Sequence, residues 1–358
     1  MRIPFAGAID CDVHVTVPGL AVLVPYLDTY WRERVRVQQL ERLDLTLTSY
    51  PPTAPLSGRA DWRPEKGPPG SDLALLQREA LDKFQLRYAI LNCLWGSQAL
   101  FAEDMAAALC RAANDWVASE WLDRDPRLRA SIMVPAQNPE LAAAEIERRA
   151  SDPRFVQVLV LAGLDLPLGR RLYWPMFRSA AEHGLPVAIH AGSAYRHPPS
   201  ASGWPSFLLE DYVSNTQLFA AQLASLVSEG LFAKFPTLKI VLVESGFTWL
   251  PAFAWKFNKT WRGVRMEVPW VAKPPFDIIR EHVRFTLQPV DAPNETTTLN
   301  DAIAQLGSDA LLLFSSDFPH WQFEADDVLP EGLSDQLLKK ILVDNPLATY
   351  PRLKETVA

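Results

Sequence analysis

Cysteine is scarce: the 358 residues hold only Cys11, Cys93 and Cys110. Three scattered thiols with no Cys-x-x-Cys spacing exclude a disulfide framework and a cysteine zinc finger, and they point to a reducing compartment. Positive charge is not in surplus either, since 35 Lys and Arg stand against 42 Asp and Glu, a net charge of −7. A protein that grips nucleic acid through phosphates carries a basic excess or stripe, and none is visible. Long apolar runs are missing; the stretch 155–164 is interrupted by Gln157 and is too short to cross a bilayer. No apolar segment separates Met1 to Phe5 from Asp10, so no secretory signal is expected. There is no phosphate loop, no serine nucleophile elbow and no internal repeat. The expectation is a cytoplasmic protein that touches neither nucleic acid nor membrane and acts on a small molecule.

The apolar fraction of 48% with 22% charged residues suits a chain that builds a packed core. Eight short apolar runs rich in Val, Ile, Leu and Phe recur at 8–15, 88–94, 130–134, 155–161, 186–190, 238–244, 283–287 and 310–316. Helical patterns separate most of them, for example 104–122, 140–150, 174–183 and 216–232, where apolar residues repeat at three and four. Near-continuous apolar strands alternating with helices indicate a parallel sheet covered on its outside. The simplest closure is a (β/α)8 barrel forming one domain over 1–358, although length alone would suggest two or three domains.

Proline is abundant, 30 of 358 or about 8% against an average near 5%. Part of the excess sits in an anomalous first connection of about 70 residues, an insertion at roughly 16–72, where barrel loops are normally short. Pro51, Pro52, Pro55, Pro64, Pro68 and Pro69, with Gly58, Gly67 and Gly70, forbid a long helix or strand there. The segment leaves the C-terminal end of the first strand, where barrel active sites are built, so it reads as a lid, a subunit contact or a plain surface excursion.

A barrel predicts polar ligands at the C-terminal ends of its strands, and they are present. The first strand reads Ile9-Asp10-Cys11-Asp12-Val13-His14, where a period of two would put Asp10, Asp12 and His14 on one face and Cys11 and Val13 on the other. The fifth ends in His190, the sixth in Glu244, and the eighth in Ser315-Ser316-Asp317-Phe318-Pro319-His320. Any one of these residues alone reads as a hydrogen-bonded histidine or a turn-capping acid. Together, Asp12, His14, His190 and Asp317 make a mixed nitrogen and oxygen donor set suited to one Zn2+, Mn2+ or Fe2+ ion, with zinc taken first.

These strand-end motifs resemble the amidohydrolase superfamily, in the branch that contains aminocarboxymuconate-semialdehyde decarboxylase and the resorcylate decarboxylases. The resemblance runs from Ile9 to the terminal Asn345-Pro346-Leu347-Ala348-Thr349-Tyr350. It implies a barrel, a mononuclear divalent metal and a homodimer, with Asp12 and His14 as strand-one ligands and His190 as the strand-five ligand. Asp317 would be the strand-eight ligand that also handles a proton. Two departures matter. Decarboxylases of the branch carry His-x-Gly after strand six, whereas this chain reads Glu244-Ser245-Gly246, so Glu244 must take the acid/base role or the reaction differs. Stretch 155–163 has no lysine that could be carbamylated to bridge two metals.

The reaction implied is non-oxidative decarboxylation of a small aromatic or ring-cleavage-derived acid, and the alternative is hydrolysis of a small amide or ester by hydroxide on the metal. Asp317, Glu244 and His320 are the candidate catalytic groups, His320 by orienting its neighbour. Arg59, Arg63, Arg196 and Trp321 are the candidate substrate contacts, the arginines as bidentate carboxylate clamps. The aromatic set Trp249, Phe253, Trp255, Phe257 and Trp261 lies at mostly helical spacing and reads as packing.

Overall fold

A computed structural model describes residues 5–40, 58–194, 197–293, 295–320 and 329–354. Its eight strands are β1 Ile9–Val15, β2 Tyr88–Cys93, β3 Leu128–Met133, β4 Phe155–Gly163, β5 Val187–Ser193, β6 Ile240–Val243, β7 Val283–Thr286 and β8 Leu312–Leu313. They form one sheet in sequence order, each parallel to the next. The ends of that sheet meet. Cys11 N donates to Phe314 O at 2.9 Å, Asp317 N to Asp12 O at 3.1 Å and His14 N to Phe318 O at 2.7 Å, which closes a (β/α)8 barrel. β8 is a shorter ladder than the apolar run 310–316 suggests: Phe314 N already donates outside the sheet, to Ile341 O at 3.0 Å, and Ser316 N donates to the Asp10 carboxylate at 3.0 Å.

Strands buried on both faces explain the near-continuous apolar runs. One cluster fills the barrel: Ile9, Cys11, Ile90, Leu159, Leu161, Ala188, Val241, Val243 and Leu313 meet there from different strands. A second cluster joins Val13, Leu91, Ala130, Val158, Ile189, Leu242 and Phe285 to the surrounding helices. The N-terminal end of the barrel is plugged by Tyr350 and Leu353, which belong to the inner cluster. Arg352 locks this plug, donating to the carbonyls of Phe155, Ala150, His183 and Asp152 at 2.9–3.3 Å. The opposite end is thereby left for chemistry.

Helices form where capping and periodicity agree. Pro139–Arg149 starts with Asn138 accepting from Leu141 N at 3.1 Å and a proline in its first turn. The helix expected over 216–232 begins earlier, as Leu208–Ser228, because Glu210 accepts from the N–H of Ser206 and Phe207 at 2.7 and 2.9 Å. Its first turns were hidden in the sequence because Leu209 and Val213 are exposed and break the apolar stripe. Trp249, just before helix Leu250–Val264, and Phe253, Phe257 and Trp261 on it pack on the core, whereas Trp255 points outward. No helix among the described residues is long and apolar enough to cross a membrane.

Candidate metal centre

β1 does not keep the period of two. Ile9 and Cys11 face the barrel interior whereas Val13 and Val15 face the helices, so parity changes between Cys11 and Val13. The cause is a bulge, seen as a register shift between Asp10 and Val13 against β2. Asp12 and His14 therefore point inward, but the expected alignment of Asp10 with them does not hold. Asp10 instead staples the bulge, its Oδ1 accepting from Asp12 N at 3.1 Å and Ser316 N at 3.0 Å.

Glu244 has a similar origin. Val241 and Val243 already face inward, so a regular strand would send the next side chain out. A left-handed φ of 55° at Glu244 turns it back into the barrel, and Asp317 has the same geometry at 57°. Non-glycine residues held there carry strain of order 1–3 kcal/mol, which surrounding contacts must impose. For Glu244 these include Thr286 Oγ1, which accepts from its N–H at 3.0 Å.

The bulge and the two turns bring six side chains together, all nearly inaccessible. His14 Nε2 lies 3.1 Å from Asp317 Oδ1, 3.2 Å from Glu244 Oε1 and 3.3 Å from Asp12 Oδ1. His190 Nε2 lies 3.2 Å from Glu244 Oε1, and His320 Nδ1 lies 2.5 Å from Asp317 Oδ1. Two overlapping donor groups result: Asp12, His14, His190 and Glu244, and His14, Glu244, Asp317 and His320. All four expected metal ligands and the three expected catalytic residues thus share one site, and Glu244 belongs to both groups.

The donor set fits a divalent cation. Asp12 Oδ2, Asp317 Oδ2 and His190 Nε2 are buried without a hydrogen-bond partner, an arrangement that is costly unless a cation satisfies it. His190 is also in the ligating tautomer: its Nδ1–H donates to Ala191 O at 2.7 Å, so the Nε2 lone pair faces the cluster. Without a cation the groups share protons. Burial would raise Glu244, but His190, His14 and His320 hold its carboxyl well below the ordinary range. Against the effect of burial, Asp317 pushes His320 up to about 9. Burial and the Glu244 charge raise Asp317 itself.

Sequence reasoning missed the support beneath this site. Asn92, at the end of β2, donates to Asp12 Oδ1 at 2.8 Å and contacts Ser131 of β3 and Gln157 of β4, all three buried. The available signal was a polar residue inside an apolar strand, which Gln157 had shown. The first connection also reaches the site. Gly58 bridges to His320, Arg59 N donates to Pro319 O at 2.8 Å, and Trp62 packs on Phe318. Gly70, at φ 80°, passes so close to β1 that a Cβ would stand 2.9 Å from His14 O. Of the expected substrate contacts, Arg59 lies over Trp62 and pairs with Asp61, and Arg63 donates to Gly58 O at 2.7 Å. Arg196 and Trp321 lie outside the described residues, as do Pro51, Pro52 and Pro55.

A (β/α)8 barrel with a buried histidine and carboxylate cluster at its strand ends is the architecture of metal-dependent barrel enzymes. The family model described as amidohydrolase matches residues 9–352, and the chain belongs to that family. A gamma-resorcylate decarboxylase of a Polaromonas species is 29% identical over 230 residues, covering 62% of this chain and 69% of that protein. The crystal structure of 2,6-dihydroxybenzoate decarboxylase from Rhizobium superposes with a TM-score of 0.69 at 21% identity, covering 97% of this chain and 99% of that one. A dihydroxybenzoic acid decarboxylase from Polaromonas, with bound manganese and the inhibitor 2-nitroresorcinol, gives 0.67 at 22% identity and 97% of both chains.

Proposed function

We propose that this protein is a metal-dependent non-oxidative decarboxylase of a small hydroxylated aromatic acid. The observation that carries the reading is the buried cluster itself, where Asp12 Oδ2 and Asp317 Oδ2 have no hydrogen-bond partner and His190 Nε2 faces the Glu244 carboxylate at 3.2 Å. The relatives' activities on resorcylate and dihydroxybenzoate indicate the substrate class. Asp12, His14, His190 and Asp317 would hold one divalent ion, with Glu244 close enough to join them. When bound, that ion supplies Lewis-acid polarisation of the substrate's carboxylate and adjacent hydroxyl oxygens.

The chain's own residues do the rest. Asp317, buried beyond the end of β8 with its Oδ2 free of any hydrogen bond, is the group proposed to deliver a proton to the ring carbon that loses CO2. His320 holds that carboxyl through the 2.5 Å contact at its Nδ1. Near-complete burial of all six side chains keeps bulk water from the reacting carbon. Arg59 and Arg63, on the connection docked against the loop after β8, are the proposed substrate contacts. Zinc, manganese and iron all suit the donors; the manganese of the Polaromonas relative supports trying that ion first. The same reading takes the chain as one barrel domain and a cytoplasmic homodimer, supported by its buried free cysteines and by apolar side chains exposed at Trp204, Phe207, Leu209 and Val213.

The test is CO2 release from a panel of hydroxybenzoates after loading with Mn2+ or Zn2+, run beside anilides and lactones. Activity confined to the hydroxybenzoates and lost in His190→Ala is expected. Hydrolysis of the amides or lactones with no CO2 release would replace this reading with an amidohydrolase one.

A further inference from the structure

Beneath the metal centre, a buried hydrogen-bond chain runs across four strands from Gln157 to Asp12. Gln157 Nε2 is a pure donor; it reaches Ser131 Oγ at 2.8 Å and Asn92 Oδ1 at 3.2 Å. The Ser131 hydroxyl, already accepting from Gln157, donates to Asn92 Oδ1 at 2.5 Å. With the Asp12 carboxylate able only to accept on one side, the Asn92 amide presents its NH2 there and its oxygen to the two donors on the other side. Its Nδ2 donates to Asp12 Oδ1 at 2.8 Å. Asp12 Oδ1 is thereby engaged, and Oδ2 is left buried and partnerless. All four side chains are buried, so no water competes for these bonds.

We infer that Asn92, oriented by Ser131 and Gln157, is a positioning residue that presents the Asp12 carboxylate to the metal. The inference rests on the reading of Asp12 and His190 as metal ligands. A chain kept only for stability would need no common direction, and an inward leucine at these positions would fill the barrel without polar atoms. The common direction means that each upstream group acts on Asp12 only through the Asn92 amide. Removing both the Ser131 Oγ–H and the Gln157 amide leaves the Asn92 oxygen buried without a donor, so the amide loses the two contacts that hold its NH2 in place on Asp12.

The experiment is Mn2+ titration of the metal-free full chain, with free Mn2+ followed by electron paramagnetic resonance and folding checked by circular dichroism. Asn92→Asp keeps the shape but has no NH2 to donate, and it should weaken Mn2+ binding by about 10- to 100-fold. Ser131→Ala/Gln157→Leu should weaken it in the same direction by about 3- to 10-fold, and should add nothing in the Asn92→Asp background, as a series arrangement requires. His190→Ala is the reference that loses binding. Wild-type affinity in both Asn92→Asp and the double variant, with His190→Ala defective, overturns the inference and leaves the metal centre standing. Wild-type affinity in His190→Ala removes the metal-centre reading, and this inference with it. Should Asn92→Asp fail to fold, the double variant decides the question alone, because it leaves Asn92 and Asp12 in place.

Discussion

Glu244 Oε1 stands 3.2 Å from Nε2 of His190, and a residue that regular strand geometry would point outward is held there by a left-handed backbone. Its carboxylate is 3.2 Å from His14 and 3.3 Å from His320 as well, so its charge is shared by three histidines. Glu244→Gln keeps the volume and removes the charge. We expect Mn2+ affinity to fall by about 10- to 100-fold with little change in fold. Calorimetric titration checks this, and an unaltered dissociation constant would place Glu244 outside the metal's reach.

Asp317 is proposed to deliver the proton. Asp317→Asn should lower kcat for CO2 release by about 100-fold or more, the scale of a positioned general acid. Equilibrium binding of Mn2+ and of 2-nitroresorcinol, the inhibitor bound in the Polaromonas structure, separates lost chemistry from a lost metal or substrate site. Full activity in this variant would refute the role.

Arg59 is proposed to contact the substrate. Arg59→Met keeps an apolar stem over Trp62, from which the guanidinium stands 4.1 Å, and removes the charge. An increase in KM of about 10-fold with kcat nearly unchanged is expected, because uniform binding is what a remote clamp contributes. Steady-state kinetics at two ionic strengths would show it. A fall in kcat alone would contradict the assignment.

His282 provides a pH signature distant from the cluster. Burial lowers its pKa, Lys239 and Lys273 reinforce this, and the Leu238 carbonyl and Glu281 oppose it; its ring stacks on Phe232 at 4.6 Å. A depressed folded pKa means the unfolded chain takes the proton first. Its share of stability is therefore present above about pH 6.5 and is lost as pH falls through the folded value. Urea midpoints measured from pH 7.5 to 5 should decline less steeply in His282→Gln than in wild type. Parallel curves would show that His282 does not contribute.

Arg352 tests the plug at the closed end. Arg352→Ala strips hydrogen bonds from four carbonyls that end strands, helices and turns at that rim. A loss of about 2–3 kcal/mol is expected, since bonds from a charged donor are worth more than neutral ones. Chemical denaturation reports it, and metal affinity should stay unchanged because the site lies at the other end of the barrel.

The strand count, the parallel order and the positions of the six clustered side chains were legible in the amino-acid order, because burial on both faces writes an uninterrupted apolar run and a polar residue at its end breaks that run. Asp12, His14, His190 and Asp317, expected as ligands, and Glu244 and His320, expected as catalytic groups, needed no more than that. What only the tertiary structure decided depends on backbone deviations and on contacts between strands far apart in sequence. The β1 bulge moved Asp10 out of the face that strict alternation assigned it, since one extra residue shifts every later side chain to the opposite face. The left-handed turns at Glu244 and Asp317 leave no mark in residue type, as both positions prefer ordinary backbone. The relay from Gln157 to Asp12 joins residues 26, 39 and 80 apart along its successive links, and only closing the strands into a barrel brings them within hydrogen-bonding distance.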